Sequence, residues 1–179
     1  MEVLEIGANA KPQAHFIFPD AKIVTLDIDP AFSPDIVADA ANMPEELKGR
    51  FDAILASHVL EHFSYWKEMD VLKGWVACLK EGGELHIVVP SAEWAAREVL
   101  SEKPSPALHG HMLAGQATQW DVHLNIFTMR KLRVLFERLG LTVFRAKTGE
   151  YHLNFHDKDY PAEQHYVAGK KGNPSLAKE

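Results

Sequence analysis

Val3-Leu4-Glu5-Ile6-Gly7-Ala8-Asn9 is an apolar run interrupted by one acid and closed by a glycine. A second run of the same kind, Ile23-Val24-Thr25-Leu26-Asp27-Ile28-Asp29, follows it. The first stretch predicts a buried parallel strand that stops at a turn glycine makes easily. The second predicts its neighbour, with a carboxylate at the same edge of the sheet. In open α/β sheets, ligands bind in the crevice beyond the carboxyl ends of the strands. A carboxylate accepts hydrogen bonds from two vicinal hydroxyls, so a glycine turn facing an acid on the next strand suits a ribose. A nucleoside-type ligand is expected at this edge.

The bulk numbers bound the rest. A chain of 179 residues makes one domain that buries roughly 70% of its unfolded surface. Residues 1–169 are assigned to that domain and 170–179, polar with Gly and Pro, to a frayed tail. The formal charge is −6, from 25 acids against 19 Lys and Arg, which argues against a nucleic-acid partner. The single Cys78 excludes an intramolecular disulfide and fits a reducing compartment. Its neighbours Trp75, Val76 and Leu79 mark it as a buried structural thiol. No apolar run reaches the ~20 residues of a membrane span, and Met1-Glu2-Val3 lacks the basic flank of a signal peptide. A cytoplasmic protein without a membrane partner is expected.

Along the chain, Ala14 to Pro19 has room for a short helical turn, and Lys22 to Asp27 forms the second strand. Asp35 to Asp39 reads as a short third strand, Pro44 to Lys48 as a helical turn, and Phe51 to Ser57 as the fourth strand. Met69, Leu72, Val76 and Leu79 recur at helical spacing, which predicts a helix over Tyr65 to Lys80 ended by Gly82-Gly83. Glu84 to Pro90 is the fifth strand, and Ser91 opens a helix to about Leu100. Lys103 to Gln119 has little periodicity and reads as a long functional loop. Thr128 caps a helix to Arg138 that buries Leu132, Leu135, Phe136 and Leu139. Leu141 to Ala146 and Gln164 to Ala168 pair as a closing hairpin. The expected fold is a three-layer α/β sandwich around a mostly parallel, seven-stranded Rossmann-like sheet with a C-terminal antiparallel hairpin.

Five pieces in this order resemble a known family: Leu4-Glu5-Ile6-Gly7, Leu26-Asp27-Ile28-Asp29, Ala38-Asp39-Ala40 with Met43-Pro44, His58-Val59-Leu60-Glu61-His62, and Leu79 through Gly82-Gly83 into Pro90. The chain resembles the class I S-adenosylmethionine-dependent methyltransferases, especially the methyltransferase type 11-like group. The resemblance is good over Val3 to Pro90 and looser over Trp120 to Gly140. It implies S-adenosylmethionine as cofactor. Glu5 and the backbone of Gly7, Ala8 and Asn9 would line its amino-acid end, and Asp27 would hold the ribose, with Ile28 against the adenine. Asp39 would accept from the adenine amino group with Ala40 nearby, and Ser57 and His58 would face the methyl being transferred. The family's first loop has two or three glycines where this chain keeps only Gly7, with Asn9 able to replace a lost one.

A dinucleotide would need a second glycine and a helix N-terminus aimed at its phosphates. Ala8, Ala10 and Pro12 supply neither. His58 and His62, one helical turn apart, admit three readings: a general base, a metal pair or a structural cap. His109, His111, His123, His152 and His156 have no carboxylate or cysteine at a recognisable metal spacing, so no metal is assigned. Trp120 and His123 are expected on the acceptor side. Methyl transfer to a small-molecule acceptor follows, with His58, His62 or His123 taking a proton. The alternative, motivated by the glycine-poor Gly7-Ala8-Asn9-Ala10 loop, is a non-catalytic domain that keeps the fold and serves as a binding or assembly module.

Overall fold

The computed structural model describes residues 1–8, 12–155 and 158–172. Seven strands lie in the order β3-β2-β1-β4-β5-β7-β6. They are β1 (Glu2–Ile6), β2 (Lys22–Asp27), β3 (Ile36–Val37), β4 (Phe51–Ser57), β5 (Leu79–Pro90), β6 (Leu141–Phe155) and β7 (Lys158–Lys171). Strands β1 to β5 pair in parallel, and β7 runs antiparallel to both β5 and β6. The Rossmann-like sheet with its antiparallel closing hairpin is therefore as the sequence leads one to expect.

Period-2 alternation divides each central strand between two faces. Leu4 and Ile6, Ile54 and Ala56, and Leu85, Ile87 and Val89 join one core. Two helices cover it: α2 (Glu68–Cys78) supplies Val71, Leu72, Trp75 and Cys78, and α5 (Met129–Arg138) supplies Leu132, Leu135 and Phe136. Val3, Ala53, Leu55 and Val88 face the other way, where they meet Ala14 of the single-turn α1 (Ala14–Ile17). Thr128 caps α5 as expected, accepting from the Lys131 amide.

Helix α2 departs from its expected bounds. Tyr65 and Trp66 are exposed and stay outside it, and its buried stripe is Val71, Leu72, Trp75 and Cys78 rather than Met69, Leu72, Val76 and Leu79. Leu79 leaves the helix because it is the first residue of β5, paired with Phe51. Gly82 and Gly83 consequently lie inside a strand, beside a register shift between Phe51 and Ala53, and do not end a helix. Cys78 is fully buried, and burial pushes its thiol pKa up to about 11. Trp75, also fully buried, donates from Nε1 to the Ala40 carbonyl at 2.8 Å. That bond ties α2 to the chain just after β3.

The closing hairpin is much longer than Leu141–Ala146 with Gln164–Ala168. Its pairing with β5 stops at Pro90↔Gln164, while β6 and β7 continue to Phe155↔Lys158. The outer part is a two-stranded ribbon, and Pro161 is tolerated there because β5 no longer needs a donor from β7. β7 also runs through Lys171, three residues past the expected strand end at Ala168; residues 173–179 of the expected tail lie outside the described residues. The ribbon packs Ala162, Tyr151, Leu153 and Tyr160 on Trp94 and Ala95 of α3 (Ala92–Val99) and on Ala107 and Leu108. Leu108 starts α4 (Leu108–Leu113), a short helix inside the expected 103–119 loop.

One buried imidazole pins this arrangement. His111 accepts from the Tyr151 hydroxyl at Nδ1 (3.0 Å) and donates from Nε2 to the Ser91 carbonyl (2.9 Å). Burial, aided by the nearby His123 and His58, depresses its pKa to about 4. The unfolded chain binds this proton below about 6.5 and the folded one only near 4, so stability falls as pH drops through that window. Urea titrations between pH 7 and 4 should therefore show wild type losing more stability than His111→Gln, by about 1–3 kcal/mol. Equal losses would contradict this. Separately, Trp75→Phe should cost about 1–3 kcal/mol at neutral pH, because it strands the Ala40 carbonyl.

Candidate functional site

The carboxyl ends of β1, β2 and β4 open into a cleft of about 1780 Å³. Its floor forms where β1 turns. Gly7 sits at φ +69°, and a Cβ there would lie 2.4 Å from Cγ2 of Val59. Only glycine fits, both for the left-handed backbone and for the close approach. Its amide donates to the Leu26 carbonyl at 2.8 Å, which locks the turn to β2. His58, at the end of β4, is also left-handed at φ +56°. Such backbone in a non-glycine residue costs on the order of 1–3 kcal/mol and collects at functional sites.

Gly7, Asp27, Ile28, Asp39, Ala40, Ser57 and His58 all line the cleft. Asp27 Oδ1 accepts from the Asp29 amide (2.9 Å), which orients the carboxylate at the strand end. Asp39 accepts from the Ala41 amide (2.8 Å) and the Asn42 side chain (3.1 Å). Glu5 is placed differently. It is buried below the wall, and its two oxygens accept from the amides of Gln13 (2.6 Å) and Ala14 (2.8 Å). It holds the first turn of α1 in place and does not face the cleft. Ala8 is likewise buried and off the wall, and Asn9 lies outside the described residues.

The far end of the cleft is roofed by residues 113–124, with Trp120 and His123 on its wall. Asp121 shapes this roof by accepting from the Ala117 amide at 3.1 Å, and Ala114 and Gln116 are left-handed at φ +62° and +54°. The Leu124 amide donates to the Glu61 carbonyl (2.9 Å), which draws His123 against the turn that carries Glu61 and His62. Glu68 secures the next step, bonded to Asn125 Nδ2 (2.7 Å) and Lys131 Nζ (2.8 Å).

His58, His62 and His123 gather around Glu61 here. His58 Nε2 donates to Gln164 Oε1 at 2.8 Å, and its Nδ1 lies 3.4 Å from Glu61 Oε1. Burial opposes the imidazolium, but the Glu61 carboxylate and Gln164 outweigh it, so the His58 pKa is raised. His123 is lowered, mainly by burial and against the pull of Glu61. His62 donates from Nδ1 to the Val122 carbonyl (3.1 Å) and His123 from Nδ1 to the His111 carbonyl (3.1 Å). Ligand atoms of Glu61, His62 and His123 all lie within 4.8 Å of one another. Of the other histidines, His109 and His152 line the cleft, His111 pins the ribbon, and His156 lies outside the described residues.

Three participants were missed in the sequence. Gln164 opens the expected Gln164–Ala168 strand, but nothing in the sequence ties it to His58; Tyr151 arrives on the outer half of the hairpin, which has too little apolar alternation to be read as strand. Tyr151 stands with its ring centroid 5.0 Å from that of His58. Glu61 is 1% exposed; an acid beside an apolar Val-Leu pair was the available signal for a buried carboxylate.

The family model described as "Methyltransferase domain" matches residues 1–146. No curated protein matches the chain in sequence. Among solved structures, a SAM-dependent methyltransferase from Methanosarcina mazei is similar over 96% of this chain and 92% of its own, at 17% identity and TM-score 0.69. A putative methyltransferase from Bacillus halodurans aligns over 96% and 93%, at 15% identity and TM-score 0.68. The 1,6-didemethyltoxoflavin-N1-methyltransferase of Burkholderia thailandensis, solved with its substrate and S-adenosylhomocysteine, aligns over 96% and 71%, at 15% identity and TM-score 0.60. At these identities the likeness establishes the fold, while the family match covers most of the chain. The chain belongs to the methyltransferase-domain family.

Proposed function

We propose that the chain transfers a methyl group from S-adenosylmethionine to a small acceptor held beneath the 113–124 roof. The observation that carries this reading is the Gly7 turn, pressed on Val59 beside Asp27 and Asp39 along one sheet edge. The fit is chemical as well as steric. Asp27 ends β2 where a ribose diol needs an acceptor, and Ile28 beside it offers an apolar surface for a purine. Asp39 and Ala40 stand at the next strand end to take the adenine edge. The Gly7 backbone, Ser57 and His58 are left for the amino-acid part.

S-adenosylmethionine supplies an electrophilic methyl on sulfur. The chain's own contribution is to align an acceptor with it, and such orientation supplies much of the acceleration in a displacement. Imidazoles of His58, His62 and His123 gather at the acceptor end, where a hydroxyl or amine would shed its proton. Trp120 and Tyr151 give that end two aromatic surfaces. The toxoflavin-type enzyme among the structural neighbours acts on a small heteroaromatic, which supports a compact acceptor here.

Thermal melts with S-adenosylmethionine, S-adenosylhomocysteine and NAD test the reading. Ligand at about 100 times its dissociation constant adds roughly 2.7 kcal/mol, or about 5–10 °C for a domain of this size. The two adenosyl compounds should raise Tm and NAD should not. No rise with either adenosyl compound would leave a non-catalytic assembly domain instead.

A further inference from the structure

We propose that Glu61, His62 and His123 form a binding site for one divalent transition-metal ion at the acceptor end of the cleft. The first reason is an electrostatic anomaly. Glu61 is 1% exposed, and neither of its carboxylate oxygens has a hydrogen-bond partner among the described residues. The imidazole nitrogens His58 Nδ1 and His123 Nε2 lie 3.4 and 3.8 Å from its Oε1. A buried carboxylate left without hydrogen bonds is costly, and a positive ion is the usual remedy.

The second reason is the orientation of the two imidazoles. His62 and His123 each donate from Nδ1 to a backbone carbonyl, of Val122 and His111 respectively. This assigns the proton to Nδ1 and leaves Nε2 with a lone pair. Metal-bound histidines are held in the same way by their outer hydrogen bonds. The two rings meet edge to face, with centroids 4.9 Å apart. His123 Nε2 and Glu61 Oε1, at 3.8 Å, can both reach an ion placed about 2.0–2.2 Å from each.

Two imidazoles and one carboxylate suit zinc or another first-row divalent ion and leave coordination positions open. His62 and His123 line the cleft, so those positions face the acceptor, while Glu61 anchors the ion from the buried side. The His58 and His111 imidazoles and the Tyr151 hydroxyl also feel the carboxylate's charge. None of them donates a hydrogen bond to it at bonding distance. The inference does not depend on the cofactor reading.

The test uses the full chain, freed of metal with a chelator and titrated with Co²⁺. One ion per chain should bind with visible absorption of a nitrogen–oxygen site, and Zn²⁺ should displace it. Glu61→Gln, His62→Ala and His123→Ala should each weaken binding at least about tenfold, while exposed His15→Ala leaves it unchanged. Zero stoichiometry, binding that survives Glu61→Gln with His123→Ala, or displacement by an equal concentration of Mg²⁺ would each overturn the proposal. A melt supplies an independent arm. Metal-free Glu61→Gln should be at least as stable as metal-free wild type, and only wild type should gain with Zn²⁺. If metal-free Glu61→Gln melts lower, Glu61 is a counter-ion for His58 and His123, and the metal site is refuted.

Discussion

Everything at the functional edge depends on one close approach, the backbone of Gly7 against the side chain of Val59. The β1 turn and the β4 turn share the space a Cβ would occupy. Because Gly7 also donates to Leu26, the ends of three adjacent strands are held in one fixed relation. Asp27, Asp39, Ser57 and His58 then arrive at the cleft on a rigid frame and not on free loops. An alanine at position 7 would meet both a left-handed backbone and a clash with Val59 Cγ2. Those two penalties fall at the site, on a Val59 side chain that also packs against the main core.

A second dependence links elements far apart in sequence. Glu61 and His62 sit in a turn after β4, whereas His123 belongs to the roof. The Leu124–Glu61 backbone bond joins them, and the Glu68–Asn125–Lys131 bonds hold the following residues to α2 and α5. The ribbon of β6 and β7 completes the enclosure by bringing Tyr151 and Gln164 to His58. The roofed end of the cleft is thus built from four separate stretches of chain, and the end at Gly7, Asp27 and Asp39 from segments at or next to strand termini.

That difference explains what was legible in the sequence. Apolar runs ending in Gly7, Asp27 and Asp39 are local signals, so the parallel strands could be read directly. Glu5 was misplaced because its partners, the amides of Gln13 and Ala14, depend on how the chain turns after Gly7. The start of β5 at Leu79 was hidden by helical spacing that continues past Cys78, although pairing with Phe51 decides it. The outer hairpin was hidden because its polar face looks like loop until Trp94 and Ala107 are set beneath it. Metal-ligand spacing in Glu61-His62 was equally silent, since its third member lies across the fold.

The most direct measurement is the dissociation constant of S-adenosylhomocysteine, by titration calorimetry, for wild type, Asp27→Ala and Gly7→Ala. If the Gly7 turn and the Asp27 carboxylate build the cofactor cleft, both variants should keep a cooperative melt and bind at least about tenfold more weakly, since a charge-assisted hydrogen bond contributes about 1.5–3 kcal/mol. Wild-type affinity in both folded variants would contradict that assignment of the edge.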